Sequence, residues 1–157
     1  VYPSIVGVDR VPLELYRLKL GVEEILLDSG LPVTVVRGTQ FHGFLDALLE
    51  RIALLGVVGV PWATPLQPVA ETEYAAGLLD ALEGPSRGRA PEIAGPEIRT
   101  AYELARSWLR RRGKRRLAVA IPLPGAAARA ARRGGVTSPD RAVGRMTWEE
   151  WLEKTYG

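Results

Sequence analysis

Apolar residues fall into short continuous runs separated by longer stretches of helical spacing, the alternation that builds a parallel sheet from strand–helix units. Val1 to Val6 reads as a buried strand. Pro12 suits the first turn of a helix, and Leu13 to Asp28 carries apolar residues at helical spacing until Gly30 closes it. Pro32 to Arg37 is short and β-branched, as a buried parallel strand is. Gly43 to Leu55 predicts an amphipathic helix, Val57 to Val60 a short extended piece, and Pro61 to Pro65 a loop around Trp62. Pro68-Val69-Ala70 predicts an extended segment leading into a helix over Glu71 to Leu82.

The pattern then loosens. Gly84 to Pro91, rich in Gly, Pro and Arg, marks a surface loop. Ile93 to Pro96 reads as a short strand, and Thr100 caps a helix running to Arg112 and closed by Gly113. Leu117 to Ile121 predicts the last strand, ended by Pro122, and Pro124 opens an Ala/Arg helix that stops at Gly134-Gly135. Thr147 and Glu150 form a capping box for a terminal helix whose Trp148 and Trp151, three apart, share a face that packs against the body. No internal repeat is present.

With 157 residues and an apolar fraction of 46% the chain is long enough for one domain with its own core. It has no cysteine and one histidine, which excludes disulfides and thiol chemistry and leaves no metal site to expect. The cysteine count fits a reducing, cytoplasmic setting. No apolar run is long enough to span a bilayer, so no membrane partner is expected. Six basic residues between Arg110 and Arg116, joined by Arg129, Arg132 and Arg133, read as cations complementing helix C-termini. With a net charge of +3 and no interleaved stacking aromatics, no nucleic-acid partner is expected.

Leu15-Tyr16-Arg17-Leu18-Lys19, eleven residues after Ser4, sets a serine, a tyrosine and a lysine in the order of a carbonyl-reduction site. Together with SIVGVDR, YRLKLGVEE, SGLPVTVVRGTQFH and IPLPGAAARAARRGG, it resembles the atypical short-chain dehydrogenase/reductase superfamily, specifically its NmrA-like, NAD(P)-binding branch, over nearly the whole chain. The resemblance implies an α/β fold: a partial Rossmann-type parallel sheet with flanking helices and a small C-terminal lobe. It divides the chain into residues 1–83, the C-terminal half of the dinucleotide-binding domain, and residues 84–157, a mostly helical substrate-side lobe. It also implies that Lys19 holds the nicotinamide ribose, that Ser4 lies beside the nicotinamide or substrate, and that Thr39, Gln40 and Phe41 line the same end.

Two departures bear on activity. In that superfamily the tyrosine stands four residues before the lysine, where this chain has Leu15; Tyr16 is one residue late, roughly 100° around the helix. General acid catalysis needs hydrogen-bond reach before it needs a tuned pKa, so the missing group is the acid. The second departure is the phosphate loop. A glycine-rich turn between a strand and a helix N-terminus receives the pyrophosphate. Gly7 follows a strand without further glycines, and Gly134-Gly135 follows an Arg-rich helix.

The resemblance thus implies that the chain corresponds to the second half of the fold. NAD(P)H belongs to the complete fold, and weak or no binding is expected of this chain alone. Three readings remain: a reductase of unknown small-molecule substrate, a non-catalytic dinucleotide sensor, and a truncated chain without activity of its own. The strand at residues 1–6 would lack one neighbour and serve for homodimerisation or for pairing with the other half. His42 is a candidate proton donor or a solvated capping side chain, and Asp9 and Arg10 either contact substrate or solubilise their loop.

Overall fold

The computed structural model describes residues 1–53, 57–61, 63–113 and 117–157. Trp62 of the predicted loop, Leu54 and Leu55 at the end of the predicted helix, and Lys114 to Arg116 fall outside them.

The first strand, β1 (Tyr2–Ile5), feeds helix α1 (Glu14–Asp28), which returns the chain to β2 (Thr34–Gly38), parallel to β1 with Ser4 beside Arg37. Helix α2 (His42–Ile52) follows, then β3 (Val57–Val60), the two-residue β4 (Pro65–Leu66) and α3 (Glu71–Glu83). A two-residue strand, β5 (Gly88–Arg89), pairs parallel to β2, so the sheet order is β1-β2-β5. Parallel strands are ordinarily buried on both faces, and here the alternation along β2 supplies both. Val36 packs with Tyr74 and Ala81 of α3, while Arg37 on the opposite face meets Glu23 of α1.

Beyond this sheet, β6 (Arg99–Thr100) pairs antiparallel with β4 and leads into α4 (Ala101–Arg111), capped by the Thr100–Glu103 box. Strand β7 (Leu117–Ala120) pairs parallel with β3; α5 (Ala126–Arg132), a 3-10 turn at Pro139–Arg141 and α6 (Trp148–Tyr156) complete the chain. The Thr147–Glu150 capping box forms as its spacing predicts. The main core joins Leu45 and Leu49 of α2, Val58 and Val60 of β3, Leu104 and Trp108 of α4, and Trp148 and Leu152 of α6.

Several features differ from the sequence pattern: β4 and β6 are two-residue strands where none was expected, and Ile93 to Pro96 forms isolated bridges rather than a strand. Gly84 to Pro91 contains β5, which shows no apolar run because only two backbone positions pair, one of them a glycine at φ +65°. Pairing also crosses residue 84 in both directions: β5 and Ile93 join the first sheet, while α2 and β3 pack with α4, β7 and α6. Among the described residues no helix is long and apolar enough to cross a membrane.

Candidate functional site

A cleft of about 360 Å³ opens beside β1 and the end of β2. Its walls are Pro3, Ser4 and Ile5 of β1, Leu15, Tyr16 and Lys19 of α1, the turn from Gly38 to Phe41, Phe44 of α2, and Tyr74 of α3. Every residue of the proposed set therefore lines one concavity, although their positions run from 4 to 41. The cause is topological. Helix α1 starts beyond the end of β1, and the turn after the parallel strand β2 falls beside it.

The polar groups of the cleft are largely engaged. Lys19 donates from Nζ to the Pro3 carbonyl at 2.9 Å and lies 4.9 Å from the Tyr2 ring centroid. Ser4, 5% exposed, donates to Glu23 Oε1 at 2.5 Å, so its hydroxyl is committed to a carboxylate on α1. Thr39 Oγ1 accepts from the Gly95 amide at 3.3 Å. Gln40 is a clamp: its Nε2 donates to the Val136 carbonyl at 2.8 Å, and its Oε1 accepts from the Gln67 amide at 3.0 Å. Phe41 leans on Tyr74 at a centroid distance of 5.1 Å.

Tyr16 lines this cleft together with Leu15; the one-residue displacement leaves it on the wall. Burial raises its pKa, the opposite of the lowering that a phenolic acid working near neutrality needs. Tyr74 is the residue that the sequence pattern did not single out. Its hydroxyl donates to the Val36 carbonyl at 2.8 Å, and burial pushes its pKa up to about 12. It reads in sequence as one apolar position of α3. The only signal is at Gly38, where a Cβ would stand 2.5 Å from the Tyr74 ring.

His42 is not in the cleft. As the first residue of α2 it is fully buried, with the rings of Trp148 and Trp151 at 5.7 and 5.8 Å. Burial lowers its pKa against the opposing charges of Glu71 and Glu73. The proton-donor and solvated-cap readings are both replaced by a core position under α6. Asp9 accepts from Arg37 at 3.0 Å, and Arg10 lies 3.8 Å from Asp9 and from Glu92. Gly7 turns the chain at φ +93° so closely against Gly135 that a Cβ would meet the Gly135 carbonyl.

Behind the cleft lies a buried charge network. Glu23, four residues after Lys19 on α1, is fully buried and receives Arg37 through Nε at 3.0 Å and Nη2 at 2.7 Å, with Arg89 Nε 3.6 Å away. Burial opposes its ionisation, but hydrogen bonds from Arg37 and Ser4 and the nearby guanidinium charges more than offset this and hold the carboxyl below the usual range. Among the described residues, no group of three His, Cys, Asp or Glu is placed to hold a metal ion.

No family model matches the chain. It is 30% identical over 138 residues to the mitochondrial NADH dehydrogenase (ubiquinone) 1 alpha subcomplex subunit 9 of Arabidopsis thaliana, a match covering 78% of this chain and 32% of that protein. Solved structures similar to the chain include the following three. The NADPH-dependent quinone oxidoreductase of Escherichia coli, complexed with NADPH, superposes with a TM-score of 0.80 at 20% identity, over 99% of this chain and 65% of that one. A nucleoside-diphosphate-sugar epimerase from Staphylococcus aureus gives 0.74 at 14% identity, over 96% and 63%. The triphenylmethane reductase of Citrobacter sp., complexed with NADP(H), gives 0.68 at 15% identity, over 99% and 64%. The chain thus has the Rossmann-type α/β fold of NAD(P)-dependent reductases and epimerases, and spans about a third of the curated relative and under two thirds of these structures.

Proposed function

We propose that this chain is the nicotinamide-side half of an NmrA-like, atypical short-chain dehydrogenase/reductase, of NAD(P)H-dependent oxidoreductase lineage. The observation that supports the reading is the cleft itself, which Ser4, Tyr16, Lys19, Thr39, Gln40 and Phe41 all line, with Leu15 beside them in the place the family gives its tyrosine. Lys19 would leave the Pro3 carbonyl to hold the nicotinamide ribose. Thr39 and Gln40 would act through the backbone of their turn, since their side chains brace it. Ser4 would serve as a positioning residue through Glu23 rather than by touching substrate. Leu15 stands where the acid is needed, so hydride transfer to an acceptor that draws its proton from solvent fits better than carbonyl reduction. That same leucine supports the second reading, a dinucleotide sensor without turnover.

Calorimetric titration of NADPH and NADH tests this, against the chain alone and against the chain joined to a strand, glycine-rich turn and helix that complete the sheet. The chain alone should show no saturable binding in the low micromolar range, because the pyrophosphate lacks its helix N-terminus. The completed form should bind one of the two nucleotides, and Lys19→Ala should weaken that binding. Failure of the completed form to bind either nucleotide would overturn the proposal.

A further inference from the structure

A second cavity, of about 200 Å³, adjoins the cleft at Gln40 and Phe44. These two residues line both volumes, so one amide side chain and one ring form the partition. The rest of its wall includes Leu45, Leu48 and Leu49 of α2, Val60 of β3, Leu66 of β4 and Leu104 of α4. Among the described residues no charged side chain lines it, and its polar members are Gln40 and Thr64. Gln40 is engaged at both ends, its Nε2 with the Val136 carbonyl and its Oε1 with the Gln67 amide. What the cavity offers a ligand is dispersion contact and exclusion from water.

Leu45, Leu49, Val60 and Leu104 are buried members of the main core, so the cavity is cut into that core rather than laid on the surface. Phe44 and Leu48, one turn apart on α2, are instead 60% and 41% exposed. Being both exposed and part of the wall, they form its rim. An apolar cavity of this kind stays dry and accepts apolar guests, because water finds no partners in it. The cleft beside it has the complementary need. Its Ser4, Lys19, Thr39 and Gln40 side chains are engaged within the protein, so a molecule held there draws affinity from apolar contact next door.

We propose that this cavity holds the hydrocarbon tail of the small molecule whose reacting head occupies the cleft, so that the substrate class is an amphiphile with an aliphatic chain. The inference rests on the reading of the cleft as the nicotinamide side of a reductase. Phe44 packs at the junction of head and tail, and the tail runs between α2 and β3 toward Leu104. The cleft of about 360 Å³ and the cavity of about 200 Å³ fall together in the size range of small-molecule sites, roughly 300–1,000 Å³. A tail bound equally in the ground and transition states lowers KM and leaves kcat unchanged.

The test needs no nucleotide: the whole chain is titrated with 4-alkylphenols whose alkyl group grows from one to eight carbons, the ring standing in for the head. Each added methylene should tighten binding roughly four-fold until the cavity is full. Ala101→Leu, which adds three carbons to the cavity wall, should weaken binding of the longest phenol roughly 60-fold and that of the methyl compound little. Ala101 begins α4, so thermal melting checks that this variant folds, and Leu48→Glu at the exposed rim supplies a second change that should weaken the long-chain members. Leu82→Glu, at an exposed leucine of α3, should leave the series unchanged. Nuclear Overhauser contacts should run from the chain end to Val60 or Leu104, and from the ring to Ile5 or Leu15. No tightening with chain length, equal tightening in Ala101→Leu, or chain-end contacts elsewhere would each overturn the proposal. Since no nucleotide takes part, such a failure is distinct from failure of the dinucleotide reading, which the NADPH and NADH titrations judge by themselves.

Discussion

Arg37 sets its guanidinium against both carboxylate oxygens of Glu23, Nε at 3.0 Å and Nη2 at 2.7 Å, with the carboxylate wholly out of solvent. The pair joins β2 to α1, and through Ser4 it reaches β1 as well. Since Lys19 lies one turn before Glu23, the same contact fixes how the lysine meets the cleft. Breaking a buried pair from one side costs about 3–5 kcal/mol, because the remaining charge is left in a poor solvent. Glu23→Ala should destabilise by that amount in urea unfolding, and Glu23→Gln by less. A loss below about 1 kcal/mol, the scale of exposed pairs, would show that Asp9 alone satisfies Arg37.

Acidification should reduce stability in two separable steps. Burial depresses His42 below its ordinary 6.5, so its contribution is complete above that value and is lost as pH falls toward the depressed folded-state pKa. Glu23 is held below its ordinary 4.5, so its contribution is complete above 4.5 and lost as pH falls through the lower folded value. His42→Phe should flatten only the upper limb of a stability–pH profile, and Glu23→Gln only the lower. If neither variant changes the profile, other groups carry the acid sensitivity.

Much of this arrangement could be read in the sequence, and its limits have physical causes. The main strands and helices through α3, other than the two-residue β4, and both capping residues, Thr100 and Thr147, follow from local periodicity and side-chain oxygen chemistry, which act within a few residues. That Ser4, Tyr16, Lys19 and the turn from Thr39 to Phe41 would share one end of the fold was an implication of the family resemblance, not of composition or periodicity. What stayed hidden were partners distant in sequence. Glu23 occupies an inward position of α1 where pattern alone predicts an apolar residue, and only its three-dimensional neighbours Ser4 and Arg37 make a carboxylate tolerable there. His42 looked like a ligand-side residue because the end of β2 is near, yet the first turn of α2 rotates it under Trp148. The loop label for residues 84–91 concealed β5 because two paired positions leave no period.

Leu15→Tyr should separate the two proposed activities in the nucleotide-binding, completed form. Tyrosine at this position stands one helical turn before Lys19 on the cleft wall. General acid catalysis contributes roughly 10²–10⁴-fold, so even partial restoration should raise turnover of carbonyl substrates measurably. Quinones, whose reduction draws protons from solvent, should respond less. Equal responses of the two substrate classes would show that position 15 does not face the reacting carbon.

The other exposed feature of α1 concerns association. Val6 donates to Gly38, so the alternation along β1 turns Pro3 and Ile5 to the side away from β2. On that side Pro3 has no amide hydrogen, its carbonyl accepts from Lys19, and the Ile5 carbonyl accepts from the Val8 amide at 3.4 Å. The edge is therefore more blunted than the strand pattern predicts. Beside it, Leu15, Leu18, Val22 and Ile25 form an apolar stripe on α1, exposed by 58, 65, 40 and 72%. Helix contact along this stripe, with limited strand pairing, should govern self-association or pairing with a segment that completes the sheet. Leu18→Glu with Ile25→Glu should lower the apparent mass of the chain toward the monomer in light scattering, whereas Val1→Lys at the strand should change it little. Self-association that persists in the double variant and disappears in Val1→Lys would place the contact on the strand edge instead.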